Sequence, residues 1–88
     1  MITAVVLIDA EPAHIGDLAR QLVELNGISE AYSVTGQHDL VAMVRVREHE
    51  ELATVVTEGI AKLAGVRHTT TLVAFRTYRN EDYDWELT

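Results

Sequence analysis

Apolar residues fill positions 2 to 8 almost without a break, Ile2-Thr3-Ala4-Val5-Val6-Leu7-Ile8, and stop at Asp9-Ala10-Glu11-Pro12. A short β-branched run of this kind reads as a buried strand. Pro12 suits the first turn of a helix, where its missing N–H has no partner to lose. Ile15, Leu18, Ala19, Leu22 and Val23 then recur at helical spacing, with Asp17, Arg20, Gln21 and Glu24 on the other face. Asn26-Gly27 ends that helix, because glycine takes the left-handed backbone of a C-terminal cap without a side-chain penalty. Ile28 to Thr35 reads as a second strand, Gly36 to Asp39 as a turn and Leu40 to Val46 as a third strand, which together make a hairpin. Leu52, Val55, Val56, Gly59, Ile60 and Leu63 form a second helical stripe, ended by Gly65, and Val66 to Thr77 alternates as a last strand.

The order is βαββαβ, and it contains a repeat. A shift of 38 positions lays Ala4 on Ala42, Val6 on Val44, Leu18 on Val56, Leu22 on Ile60, Leu25 on Leu63, Gly27 on Gly65 and Ile28 on Val66. Two βαβ halves with right-handed crossovers predict an α+β, ferredoxin-like domain: a four-stranded antiparallel sheet in the order 4-1-3-2 with both helices on one face. Residues 1–79 form this domain and residues 80–88 an acidic tail. In the two central strands, positions 2–8 and 40–46, the second face is as apolar as the first, although a sheet with helices on one side should show polar residues on the other. Something outside the chain must cover it, and dimerisation through the sheets is the simplest cover.

The chain has 88 residues, and one this short buries only roughly 60 to 65% of its unfolded surface, which reinforces the expectation of association. Cysteine is absent, so disulfides and thiolate metal sites are excluded. Fourteen acidic against seven basic side chains give a net charge of −7, which opposes a phosphate backbone and argues against direct nucleic-acid binding. Four of the acids, Glu81, Asp82, Asp84 and Glu86, lie in the last nine residues, so positions 1–79 carry ten acids and seven bases, a net of −3. The run from Ile2 to Ile8 is too short to span a bilayer, and no export signal precedes it, so the expected location is cytoplasmic.

Strand directions gather Asp9, Glu11, His14, Gly36, His38, Asp39, Gly65 and His68 at one end of the sheet. Imidazoles and carboxylates suit divalent ions, but no pair stands at i, i+4 on a helix, and no metal or other cofactor is expected. Nor is a catalytic group. His38 and Asp39 are adjacent and point to opposite faces, and Ser33 and Thr69 to Thr71 have no evident activating base. In the tail, Tyr78, Tyr83 and Trp85 either remain in solvent or dock on a neighbouring protomer.

The stretch Val34-Thr35-Gly36-Gln37-His38-Asp39-Leu40, the helix end Leu63-Ala64-Gly65-Val66 and the strand start Thr69-Thr70-Thr71-Leu72-Val73 resemble the effector-binding (RAM) domain of the Lrp/AsnC regulators. The matched features are a glycine followed three residues later by aspartate at the hairpin, a Gly-Val helix end and a T-x-T strand, over residues 1 to about 77. The resemblance implies a domain that dimerises through its sheets, assembles further and binds a small-molecule effector, an amino acid or a related small molecule, between dimers near the hairpin. Thr35, Gly36, Gln37, His38, Asp39 and Leu40 would form one wall of that site, with Thr69, Thr71 and Val73 from the last strand. Asp39 would pair with an α-ammonium group or, alternatively, only cap the hairpin, and Gly36 would supply its turn. Full regulators carry an N-terminal helix-turn-helix and this sequence begins at the first strand. It therefore resembles a stand-alone domain that senses a metabolite or joins a full-length regulator in a mixed assembly. The alternative is an enzyme of the dimeric α/β-barrel group, such as a cofactor-independent monooxygenase or isomerase. Those enzymes place polar residues between helices and sheet, where this chain has Leu18, Leu22, Val55, Val56 and Ile60.

Overall fold

In a computed structural model, which describes residues 1–80, the chain forms a sheet covered on one side by two helices. Strand β1 (Ile2–Ala10) leads through a 3-10 turn at Pro12–His14 into helix α1 (Ile15–Glu24). The hairpin of β2 (Ile28–Ser33) and β3 (Leu40–Val46) follows, then α2 (His49–Thr54), which runs on into a π-turn at Val55–Gly59 and a 3-10 turn at Ile60–Lys62, and finally β4 (Val66–Val73). The sheet order is β2-β3-β1-β4, antiparallel at every step, as the repeat predicts. Tyr83, Trp85 and the four acids of the tail lie outside the described residues.

The alternation missing from the hydrophobic pattern is present in the burial. Ala4, Val6, Ile8 and Ala10 of β1 and Leu40, Ala42, Val44 and Val46 of β3 are buried against Leu18, Leu22, Leu52, Val55 and Ile60. Their neighbours Val5, Leu7, Val41 and Met43 point away from the helices and are only half-buried. At the two edges of that open face, Tyr32 and Leu72 are 48% and 52% exposed. The open face of this chain is therefore apolar in its centre. On its β2 side the Tyr32 hydroxyl donates to Glu30 Oε2 at 2.7 Å, and this bond above all holds the phenol's pKa above its usual value.

The two halves match in detail. Ala4 and Ala42, Val6 and Val44, and Leu22 and Ile60 are equivalent pairs in the repeat, and all six are fully buried. Each helix ends on a leucine with nearly the same backbone angles, Leu25 at φ −75°, ψ 138° and Leu63 at φ −72°, ψ 136°. Gly27 and Gly65 then turn the chain at φ 94° and 95°.

Three details differ from the sequence pattern. The last strand ends at Val73 rather than Thr77, because its partner runs out: Ala74 N–H donates to Thr3 O at 2.8 Å, one residue from the start of β1. Val23, placed on the apolar stripe of α1, is 51% exposed, since the contact with the sheet is narrower than the stripe. The second helix is not a regular α-helix. Thr54-Val55-Val56-Thr57 is a β-branched run that crowds the preceding turn. Thr54 Oγ1 and Thr57 Oγ1 also donate to the carbonyls of Glu50 and Ala53, contacts that bend helices. The buried positions accordingly step from Val55 to Ile60, five residues rather than four, which is the period of the π-turn.

Candidate functional site

The residues expected at one end of the sheet do assemble there, and their contacts tie three connections together. Glu11 N–H donates to Gly65 O at 2.9 Å, joining the β1–α1 loop to the turn before β4. A β-bulge between Asp9 and Ala10 leaves Arg67 as the extra residue of β4. Its guanidinium reaches Glu11 Oε1 at 2.9 Å from Nε and 2.7 Å from Nη2. His14 lies directly over Gly65: a Cβ there would stand 2.7 Å from His14 Cβ. Glycine is thus required at 65 both by its positive φ and by the imidazole packed on it.

The hairpin is fastened to the same end of β1. Asp39 N–H donates to Ile8 O at 3.0 Å, Val34 N–H donates to Asp39 O at 3.0 Å, and Asp39 Oδ2 accepts the Ala10 N–H at 2.8 Å. That last bond satisfies a backbone donor at the point where the bulge disturbs the ladder. His38 Nδ1 lies 2.9 Å from Asp9 Oδ1, with both side chains about two-thirds buried. His38 and Asp39 thus engage different groups, as adjacent residues pointing opposite ways must. What the sequence did not disclose is that each finds its partner on β1, 29 residues away. His68 faces Asp9 across the β1–β4 ladder. Among the described residues no three His, Asp or Glu side chains converge as metal ligands.

Beyond this fastened base the tip stands free. Thr35, Gly36 and Gln37 are exposed, Gly36 has φ 116°, and no atom would lie within 4 Å of a Cβ placed on it. The backbone there is open to whatever approaches. Leu40 differs from the rest of its wall: its side chain is fully buried among the helices, so only its main chain borders the tip. Thr69, Thr71 and Val73 pair with Ile8, Val6 and Ala4 and share their side of the sheet. Thr69 is level with the hairpin base. Val73 is four residues further along, roughly 13 Å at about 3.3 Å per residue, toward the opposite end. Within one protomer Thr35 to Asp39 are contiguous at the hairpin, Thr69 lies level with its base on the far side of β1, and Thr71 and Val73 lie further along β4.

A cleft of about 660 Å³ lies at that opposite end, between the α1–β2 turn, the end of β3 and the second helix. None of the residues expected from the sequence lines it.

Comparison with known proteins agrees with this architecture. A family model described as the Lrp/AsnC ligand binding domain matches residues 3–83. An uncharacterized HTH-type transcriptional regulator of Pyrococcus abyssi is 38% identical over 72 residues, 82% of this chain and 46% of that protein. The chain spans about half the length of the curated relatives it matches. Among solved structures, a protein of Thermus thermophilus superposes with a TM-score of 0.86 at 50% identity, over 91% of this chain and all of that one. The feast or famine regulatory protein of M. tuberculosis, complexed with L-methionine, gives 0.78 at 25% identity, over 96% of this chain and 56% of that one. With its ferredoxin-like sheet, its doubled βαβ order and a family match over residues 3–83, this chain belongs to the Lrp/AsnC ligand-binding domain family.

Proposed function

We propose that this protein is a non-catalytic, oligomeric, cytoplasmic binding module that takes an amino acid at the hairpin end of its sheet. The binding wall is the exposed tip Thr35-Gly36-Gln37 with His38, Asp39 and the main chain of Leu40. Thr69, Thr71 and Val73 are supplied by the last strand, of the same or a neighbouring protomer. The observation that carries the reading is the tip itself, rigidly fastened to β1 at its base yet open over Gly36. Such a loop presents backbone donors and acceptors without having to order on binding. Asp39 serves both ends of this arrangement: Oδ2 holds Ala10 N–H, and the carboxylate charge attracts an α-ammonium group. The crystallised relative bound to L-methionine supports an amino acid as the ligand class.

The apolar open face supports a homodimer or larger assembly, and the same face would admit a full-length Lrp/AsnC regulator as a mixed partner. With a net charge of −7 the chain does not bind nucleic acid directly. Its helix-to-sheet seam is filled by Leu18, Leu22, Val55 and Ile60, with no buried polar side chain among the described residues. That filling supports a binding module over an enzyme of the dimeric α/β-barrel group. Calorimetric titration of an amino-acid panel tests the proposal against the native protein and Asp39→Asn, which keeps an acceptor for Ala10 N–H and removes the charge. Affinity should fall roughly 10- to 150-fold, the equivalent of about 1.5 to 3 kcal/mol for a charged hydrogen bond, while the melting curve is preserved. Absence of binding by the native protein across the panel would overturn it.

A further inference from the structure

The cleft at the far end of the sheet has an apolar floor and an acidic rim. Leu25, Val46 and Val55 form the floor with Gly27 and Gly59. Gly27 lets that floor close up, since a Cβ there would stand 2.9 Å from Val55 Cγ2 and 3.0 Å from Val46 Cγ1. Four carboxylates, of Glu48, Glu50, Glu51 and Glu58, line the rim against two guanidiniums, of Arg45 and Arg47, a formal charge of −2. Among the described residues the Glu50 carboxylate has no hydrogen bond or ion pair of its own.

The chain leaves β4 at this same end. Ala74 N–H donates to Thr3 O, Ile2 pairs with Val46 and Met1 lines the cleft, so the residues after Val73 start close beside it. They read Phe75-Arg76-Thr77-Tyr78-Arg79, two aromatics and two arginines with no acid among them. Phe75 and Tyr78 are 93% and 85% exposed, so this arm stands clear of its own cleft. Arg76 Cζ lies 5.8 Å from the centroid of the Phe75 ring, within reach of a cation–π contact, and among the described residues neither arginine forms an ion pair. In an extended chain with three residues per turn, Phe75 and Tyr78 fall on one side and Arg76 and Arg79 on the next. A basic arm that bares two rings is complementary to an acidic cleft with an apolar floor, and aromatic and arginine side chains are the types that dominate the energy of protein contacts.

We propose that the cleft receives the Phe75–Arg79 arm of a second copy of this chain, with the two rings on Leu25, Val46 and Val55 and the two arginines at the carboxylates of the rim. Arm and cleft lie at one end of the molecule, so two copies set end to end about a twofold axis exchange arms reciprocally and the contact closes on itself. The cleft is built from the helix layer and the strand ends, so it stays accessible when the open face of the sheet is covered. Five residues are far fewer than the roughly 20 to 30 that each side contributes to a stable interface, and the exchange is therefore weak between single copies. It strengthens where copies are already paired through their sheets, because two arms then engage together. That gain rests on the sheet-paired assembly proposed above, whereas the fit of arm to cleft does not.

The chain has no cysteine, so one pair of introduced thiols reports one contact. Thr77→Cys in one preparation and Thr54→Cys in another keep both rings and every charge; both positions are exposed, and Thr54 lines the cleft. Mixed in a glutathione redox buffer, the two variants should join by a disulfide at least about tenfold faster than Thr77→Cys joins Ala13→Cys, an exposed control at the hairpin end. A single chain that carries both Thr54→Cys and Thr77→Cys should crosslink between chains rather than within one. Phe75→Ser alone, and Arg76→Glu together with Arg79→Glu, alter exposed residues and should leave the melting curve unchanged, yet each should slow the mixed disulfide by at least about tenfold. With Val5→Asp in both partners the disulfide should still form at higher protein concentration, which separates the arm contact from pairing of the sheets. Crosslinking no faster than the control, an intrachain disulfide in the doubly substituted chain, or a rate indifferent to the arm substitutions would overturn the proposal.

Discussion

Two glycines with left-handed backbones show how the same residue type is held by different forces. Gly36 and Gly65 have φ 116° and 95°, but only Gly65 has an imidazole packed where a Cβ would go. Gly36→Ala should therefore cost about 1 kcal/mol, the strain of the backbone angle alone. Gly65→Ala adds the displacement of His14 and should cost about 2 to 4 kcal/mol. Urea unfolding of the two variants checks the order, and equal losses would contradict it. In the sequence both positions were visible as turns. The difference was not, because His14 is remote in the chain and no local pattern connects it to position 65. The same holds for Asp39. Its place in a hairpin is written in Gly36-Gln37-His38-Asp39, whereas its bond to Ala10 follows from the β1–β3 register, which no local stretch encodes.

Among the elements, the second helix departs most from its sequence pattern. Its apolar stripe was legible, but Leu52, Val55, Val56, Gly59, Ile60 and Leu63 fit a regular helix about as well as one with a π-turn. The choice lies in the β-branched run and the two threonine back-bonds. Deleting the exposed Thr57 brings Val55 and Ile60 to a spacing of four and should convert the π-turn to α-helix. The variant should still fold cooperatively, within about 2 kcal/mol of the native protein, since no buried side chain is lost. Circular dichroism and a denaturation curve check this, and a molten spectrum would refute it. The end of β4 teaches a related lesson: apolar alternation continues to Thr77, but a strand extends only as far as it has a neighbour, and β1 begins at Ile2.

At the scale of the whole molecule, the doubly apolar central strands announced a face in need of cover, though not which residues form it. The structure assigns Val6 to the helix side, fully buried, and Val5 to the open side, half-buried. Val5→Asp should yield a folded monomer, because its carboxylate reaches solvent once the partner leaves. Val6→Asp should lose more than about 3 kcal/mol and fail to fold stably, because its charge would be buried without a partner. Sedimentation equilibrium combined with circular dichroism distinguishes the two, and a native protein that sediments as a folded monomer would refute the assembly.

The doubling of the chain also bears on how freely it can be rewired. Because the halves share their buried pairs and even their glycine angles, the fold does not depend on which half comes first. The end of β4 lies beside the start of β1, where Ala74 bonds Thr3, so a short turn can join them. The exposed tip between Gly36 and Gln37 then offers new ends. A circular permutant built this way reads β3-α2-β4-β1-α1-β2, once more a βαββαβ chain, and should reach the same sheet. With its hairpin tip cut and its sheet intact, the permutant would separate what the fold requires from what the continuous tip contributes to binding.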